Sequence, residues 1–369
     1  MKIINIMQCT NLGGMEKASL RLMIGLKEQG HVCEVLSLNP LGGLGSLLQE
    51  QGITATGFSY SGRGGWRSIP AICRALHSMR ADALIMTGHH LLTMLALGGL
   101  CRGHRILAIH FYHAGVKPPW QWRLIYRIAC NRFQAITFPS DFVRREAETL
   151  FPAVGALSKT IRNPIQNHPV PSEEERARAR RMLCLPAHVK IIGNAGWLVA
   201  NKRFDIFLRV AERVLNEVPH SIFLIAGDGE ERERLERLAD ELHIADRIIW
   251  LGWQKDMTFF FQSLDVMLFN SDNDAMGIAS LEAMSFGVPL VASVEQGGLK
   301  EIVTGDEYGF LFPTHDSIAL AEKIVFLLKY PDDARRIGEA GRQRVAAVSN
   351  PRQLAAEVLS LLKGKGPHV

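Results

Sequence analysis

With 369 residues, 47% of them apolar and 21% charged, the chain is long enough to bury two cores of ordinary domain size and too well mixed to be a disordered or fibrous protein. Its six cysteines, Cys9, Cys33, Cys73, Cys101, Cys130 and Cys184, include no C-x-x-C pair, which argues against a disulfide framework or a zinc site. The formal net charge of +5 hides an asymmetry, because residues 1–170 carry 18 Lys plus Arg against 8 Asp plus Glu, whereas residues 171–369 carry 24 against 29.

The basic first half is expected to face something anionic. Its cations are dispersed over helices without a nucleic-acid motif, so a phospholipid surface or a phosphorylated acceptor is expected and nucleic acid is not. The longest apolar run, Leu91 to Cys101, is too short to span a bilayer and is broken by Gly98 and Gly99. No signal peptide is evident, which makes a cytoplasmic location the expectation, with peripheral attachment to a membrane face as an option.

In chain order, strands are expected at Lys2 to Met7, Val32 to Ser37, Ile53 to Gly57, Ala83 to Met86, Arg105 to His110, Ala135 to Phe138 and Lys159 to Ile161, with an amphipathic helix at Met15 to Gln29 between the first two. A second series starts at Lys190 to Asn194 and continues at Ile222 to Ala226, Ile248 to Leu251, Val266 to Phe269 and Leu290 to Ser293. Regular alternation of strands and helices predicts an α/β chain of two Rossmann-like, doubly wound domains. Two prolines and a run of acids at Asn167 to Glu175 read as the linker. Residues 1–167 and 168–350 are therefore expected as domains, with residues 351–369 forming a helix that crosses back to the first domain and then a short tail. Ligands are expected at the carboxyl ends of the strands, where such sheets collect them.

Several loops at those strand ends carry chemistry. Gly13 and Gly14 follow the first strand and let the backbone approach a ligand closely, and Glu16 stands in the first turn of the helix that follows. His110 closes a strand and is preferred to His113 for that reason. Beyond it a proline-started helix mixes Trp120, Trp122 and Tyr126 with Arg123, Arg127 and Arg132, a composition that suits an interfacial helix or an acceptor groove as well as an ordinary solvated face. In the second half, Lys202 and Arg203 stand in the loop after the first strand, and Gly252 ends the third.

The stretch from Asn270 to Pro289, NSDNDAMGIASLEAMSFGVP, is the most informative. Asp274 is expected in a loop. Gly277 then opens a helix whose first-turn amides, those of Gly277, Ile278 and Ala279, lack intrahelical acceptors and can hold a phosphate. Glu282 lies about a turn and a half further on. A loop carboxylate, a row of amides and a helical carboxylate suit a ligand with hydroxyls, then phosphate, then hydroxyls again, the order found in a nucleotide sugar.

This stretch resembles the E-x7-E signature of the large retaining glycosyltransferase family usually called GT4, E-x-F-G-x4-E-A-M-A-x-G-x-P. Asp274, Gly277, Glu282, Ala283, Met284, Gly287 and Pro289 stand at matching places, while Asp274 replaces the first Glu and Met276 the Phe. Residues Gly193 to Asp205 are similar to the family's G-R-x4-K-G loop, with Lys202 matching the Lys and Trp197 standing in place of the Arg. Arg203 is the obvious substitute for the missing cation. The resemblance also places an active-site His at the strand end read as His110, matches Gly13-Gly14-x-Glu16 to a loop that reaches toward donor phosphate and acceptor, and makes Gly252 part of the loop that reads the nucleotide base.

It implies a GT-B fold, two Rossmann-like domains facing a central cleft, and transfer of a sugar from a nucleotide-sugar donor, a UDP-sugar by preference, to a glycan or lipid-linked acceptor. Anomeric configuration would be retained, in bacterial surface polysaccharide synthesis. No metal and no cofactor beyond the nucleotide-sugar co-substrate are implied, and no D-x-D beside a nucleotide loop or His/Cys cluster is expected. A nucleotide-sugar epimerase and a non-catalytic sugar-nucleotide-binding relative remain alternatives. A dinucleotide dehydrogenase is disfavoured, since no G-x-G-x-x-G follows the first strand.

Overall fold

In the computed structural model of the chain, residues 1–59, 65–89, 94, 103–109, 116–186, 188–313 and 315–363 are described. The chain divides into two compact units, one of Met1–Pro164 with Ser349–Val369 and the other of Ile165–Val348.

In the first unit the strands are β1 (Lys2–Met7), β2 (Val32–Ser37), β3 (Thr54–Gly57), β4 (Ala83–Thr87), β5 (His104–Ala108), β6 (Ala135–Phe138) and β7 (Ser158–Thr160). They form a parallel sheet in the order β3-β2-β1-β4-β5-β6-β7. Strands such as Lys2–Met7 are nearly continuous apolar runs because helices cover both faces of a parallel sheet. The helices are α1 (Gly14–Glu28), α2 (Leu44–Glu50), α3 (Ile69–Met79), α4 (Pro119–Arg132) and α5 (Asp141–Leu150), with the last helix of the chain completing the unit. Ser140 caps α5, its hydroxyl accepting from the Val143 amide at 3.3 Å. The described strand β5 ends at Ala108; His110 and His113 lie outside the described residues.

The second unit holds β8 (Lys190–Ala195), β9 (Ser221–Ala226), β10 (Ile248–Gly252), β11 (Val266–Asp274), β12 (Leu290–Gly297) and β13 (Phe310–Phe312). They pair in parallel in the order β10-β9-β8-β11-β12-β13. Its helices are α6 (Glu173–Met182), α7 (Phe204–Glu217), α8 (Arg232–Glu241), α9 (Thr258–Ser263), α10 (Ile278–Ser285), α11 (Ser317–Lys329) and α12 (Pro331–Val348). The acid-rich start read as a linker is also the first turn of α6, where Ser172 and Glu175 form a capping box. The final helix, α13 (Pro351–Lys363), packs on α1 in the first unit, and Gly25 is small enough there for the Pro351 carbonyl to approach.

One expectation needs correction, and two elements were not foreseen. Strand β11 does not stop at Phe269 but runs through Asp274, pairing with β12 as far as Asp274↔Gly297, so Asp274 ends a strand and is not a loop residue. Strand β13 and helix α12 have no counterpart in the sequence reading.

Candidate active site

In the second sheet the chain runs outward from β8 to β9 and β10, then returns to lay β11 on the other side of β8. The connections after β8 and β11 therefore leave in opposite directions and open a crevice at the carboxyl ends of these two strands. Lys202 comes from the first connection, in the 3-10 turn Ala200–Lys202, and Asp274 from the end of β11. Their side chains form an ion pair between Lys202 Nζ and Asp274 Oδ2. The loop is tied to β11 by Ser271 Oγ, which donates to the Asn201 carbonyl at 3.1 Å, and by Asn201 Nδ2, which donates to Asn273 Oδ1 at 3.4 Å.

The other oxygen of Asp274 is also engaged. Its Oδ1 accepts from the amides of Gly277 at 2.7 Å and Met276 at 3.0 Å. Gly277 takes the left-handed φ of 71° that turns the chain from β11 into α10, a conformation that favours glycine. This corrects the expectation of three open amides, because Asp274 already occupies that of Gly277, and Ile278 and Ala279 supply the remaining first-turn amides of α10. Burial pushes the Asp274 carboxyl up, but the charge and hydrogen bond of Lys202 and the two amides outweigh it and hold its pKa below the ordinary value. Met276, in the family's Phe position, is buried in the core under the turn. Glu282 is half-buried on α10.

Arg203 is not a second cation for this crevice. It adopts φ 45° at the start of α7, and its guanidinium binds Asp205 through Nε at 3.1 Å and Nη2 at 3.2 Å, and Asp272 through Nη1 at 3.0 Å. These bonds, led by the one to Asp205, raise its pKa and commit the side chain. Asp272 belongs to a chain of polar contacts the sequence reading missed. Asn270 Nδ2 donates to Ser293 Oγ at 2.7 Å, Ser293 Oγ meets His315 Nδ1 at 2.7 Å, and His315 Nε2 meets Asp272 Oδ1 at 3.0 Å.

The expectation of no D-x-D near a nucleotide loop is also corrected, since Asp272-Asn273-Asp274 is one, with its acids held by Arg203 and Lys202. Asp272, Glu295 and His315 bring one ligand atom each within 4.8 Å of one another and are the described residues able to hold a metal ion, although Asp272 Oδ1 already serves two partners.

The turns after β8, β9 and β10 lie side by side. The Gly196 amide donates to the Ala226 carbonyl at 3.0 Å and the Gly227 amide to the Gly252 carbonyl at 2.8 Å. A Cβ on Gly227 would lie 1.8 Å from the Gly196 carbonyl oxygen, so this close approach requires glycine. Trp197 and Trp253 follow two of these turns, and their ring centroids are 4.5 Å apart.

In the first unit, Gly13 is the N-cap of α1 and Gly14 its first residue. Glu16 does not present its charge to solvent. It is 7% exposed, accepts from its own amide, and its Oε1 accepts from the Cys9 thiol at 3.3 Å; burial raises its pKa against these bonds. A cavity of about 400 Å³ is lined by Gln8 after β1, His89 after β4, and Lys117, Trp120, Gln121 and Leu124 of α4 and the approach to it. β1 and β4 are the strands at which this sheet's direction of winding reverses. The indole of Trp122 packs against His89 with centroids 5.2 Å apart. The Gly88-His89-His90 run after a strand was the signal for His89.

Comparison with known proteins agrees with this geometry. Residues 176–344 match the family described as Glycosyl transferases group 1, and residues 12–167 match Glycosyltransferase Family 4. N-acetyl-alpha-D-glucosaminyl L-malate synthase of Bacillus anthracis is 31% identical over 144 residues, 39% of this chain and 37% of that protein. The lipopolysaccharide core biosynthesis glycosyltransferase LpsD of Rhizobium meliloti is 30% identical over 165 residues, 45% of this chain and 47% of that protein. The matches thus span less than half the length of these curated relatives. The structure of Anabaena HepE in complex with UDP and glucose superposes with a TM-score of 0.83 at 18% identity, covering 99% of this chain and all of the other. With two parallel Rossmann-like sheets and family matches that together take in most of its length, the chain belongs to the group 1, family 4 glycosyltransferases and has the GT-B fold.

Proposed function

We propose that the protein is a retaining, metal-independent glycosyltransferase that moves a hexose from a nucleotide sugar, a UDP-sugar by preference, to a glycan or lipid-linked acceptor in bacterial surface polysaccharide synthesis. The observation that carries this reading is the meeting of Lys202 and Asp274 at the β8/β11 switch, directly before the α10 turn and eight residues before Glu282. HepE, which binds UDP and glucose, and the lipopolysaccharide enzyme LpsD support the donor and acceptor classes.

In this mechanism the Lys202 ammonium and the amides of Ile278 and Ala279 stabilise the diphosphate as the anomeric carbon–oxygen bond breaks and negative charge develops on the leaving group. The acceptor hydroxyl oxygen bonds to the anomeric carbon on the face the diphosphate leaves, and its proton passes to the departing diphosphate oxygen. Glu282 accepts from the ribose hydroxyls. Asp274 has two tasks on two atoms: Oδ1 stays on the Gly277 and Met276 amides and fixes the turn, while Oδ2, released as Lys202 moves to the phosphate, accepts from a hydroxyl of the transferred sugar. The ion pair therefore stores the two groups in mutually satisfied form until a donor separates them.

The acceptor is assigned to the first unit. The cavity beside His89 offers Lys117 for an anionic group and Trp120 for a sugar face. Val116, Trp120 and Leu124 are 44%, 62% and 39% exposed among basic neighbours, which supports contact with an anionic membrane surface. Cytoplasmic placement is part of the proposal.

The test is release of nucleoside diphosphate from a panel of UDP-, GDP- and ADP-sugars, with and without EDTA, by the wild type and by Glu282→Ala and Lys202→Ala. Release from one donor that EDTA leaves unchanged and both variants lose is the expected result. Binding without release would favour a non-catalytic relative, a reading prompted by Trp197 and the closed Lys202–Asp274 pair. Co-sedimentation with anionic vesicles at low salt tests the membrane contact, and protein remaining in the supernatant would refute it.

A further inference from the structure

We propose that Trp197 and Trp253 form an aromatic ledge on which the base of the donor nucleotide stacks, an inference that rests on the nucleotide-sugar reading above. Tryptophan in a loop is ordinarily covered by its neighbours. Here Trp197 is 52% exposed and Trp253 38% exposed, although the two indoles already cover part of each other, with centroids 4.5 Å apart and planes inclined by 41°. The ledge has a firm footing. The glycine turns beneath it are joined by the Gly196–Ala226 and Gly227–Gly252 backbone bonds, and the Leu198 amide donates to the Asp228 carbonyl at 3.0 Å. The turns also leave open space next to the two indoles in sequence, since a Cβ on Gly196 or Gly252 would meet nothing within 4 Å.

The position of the pair selects its occupant. Lys202 and Asp274 lie at the β8/β11 crevice, and Trp197 and Trp253 stand over the ends of β8 and β10, on the other side of β8 from β11. A nucleotide sugar is a linear ligand with its diphosphate in the middle. With the sugar at Asp274, the diphosphate between Lys202 and the α10 amides and the ribose at Glu282, the base is the end left to reach the turns after β8 and β10. That end is a planar heteroaromatic ring without formal charge, the chemistry an indole face takes. Trp197 itself stands where the family pattern has an arginine, so the residue offers a π-face in place of a guanidinium. The exchange moves binding energy from the phosphates to the base. Because every base has a π-face, the ledge contributes affinity and leaves base identity to other groups.

The experiment is calorimetric titration of the whole protein with UDP, GDP, ADP, uridine monophosphate and inorganic pyrophosphate, for the wild type, Trp197→Ala, Trp253→Ala and Trp197→Phe. The alanine variants are expected to bind the preferred nucleotide about tenfold more weakly, the loss of one base–indole stack. They should bind pyrophosphate as the wild type does, and Trp197→Phe should keep most of the affinity. Tryptophan fluorescence of the wild type should be quenched by uridine monophosphate and not by pyrophosphate. Wild-type binding of a nucleoside diphosphate that both alanine variants retain would overturn the ledge and leave the glycosyltransferase reading standing. Equal loss of pyrophosphate affinity would also overturn it, by showing disruption of the phosphate site. Failure of the wild type to bind any of these nucleotides would overturn both.

Discussion

Replacing Lys202 by Met removes the cation and keeps most of the side-chain volume, so it tests whether the buried pair supports the site. Lys202 and Asp274 side chains are 22% and 14% exposed, between the surface regime, where a pair contributes up to about 1 kcal/mol, and the buried regime, where removing one partner costs about 3–5 kcal/mol. Asp274 would keep its two amide bonds, which moderates the loss, so the expected destabilisation at pH 7 is about 2 kcal/mol. Its pH dependence is the sharper signature. The folded pKa of Asp274 lies below its unfolded value, so the pair's contribution is complete above the unfolded pKa of about 3.9 and is lost as pH falls through the folded value. In Lys202→Met, burial is no longer outweighed by a charge and the folded pKa rises. The stability gap between the two proteins should therefore be widest near neutrality and narrow as pH falls through the carboxylate range. Urea unfolding followed by fluorescence reports it, because Trp197, Trp250 and Trp253 lie in the second unit. A cycle with Asp274→Asn should give a coupling of about 1–2 kcal/mol at pH 7. A gap that is constant with pH, or a coupling near zero, would refute the account of the pair.

Glu16→Gln should act in the opposite pH direction. Burial raises the folded pKa of Glu16, so ionisation costs stability as pH rises above the unfolded value of about 4.3, and the variant should gain on the wild type in thermal melts as pH rises through and above that value. Gly227→Ala places a methyl 1.8 Å from the Gly196 carbonyl oxygen and forces the turns after β8 and β9 apart. The expected cost is about 2–3 kcal/mol, a fall of roughly 5–10 °C in the melting of the second unit, together with weaker nucleotide binding because the Trp197 loop moves.

Much of the fold was legible because parallel strands covered on both faces are continuous apolar runs, and β1, β2 and β6 stand where those runs predict. The misreading at β11 has a specific physical cause. After Phe269 the sequence turns polar, Asn270-Ser271-Asp272-Asn273-Asp274, and a polar run of this kind ordinarily signals a loop. These residues stay in the strand because partners far away in sequence satisfy them: Ser293 for Asn270, the Asn201 carbonyl for Ser271, Arg203 and His315 for Asp272, and Lys202 for Asp274. No local pattern carries that information. The two-residue period of the strand puts Asp272 and Asp274 on one side, where Arg203 and Lys202 meet them from a single loop.

The same extension explains why Arg203 could not be read as engaged, since its partner Asp272 lies in the polar run; Asp274, at the end of that run, stands where the family pattern has the longer glutamate. The sheet itself brings this carboxylate to the switch point, with Oδ1 on the Gly277 and Met276 amides and Oδ2 on Lys202. The shorter side chain also has fewer rotamers to lose on ordering. Of the two departures from the family pattern, Asp274 keeps a carboxylate at its position, whereas Trp197 removes a cation that Arg203 does not replace, its guanidinium being bound to Asp205 and Asp272. One departure preserves the chemistry of the position and the other replaces it, and only the second calls for a new role.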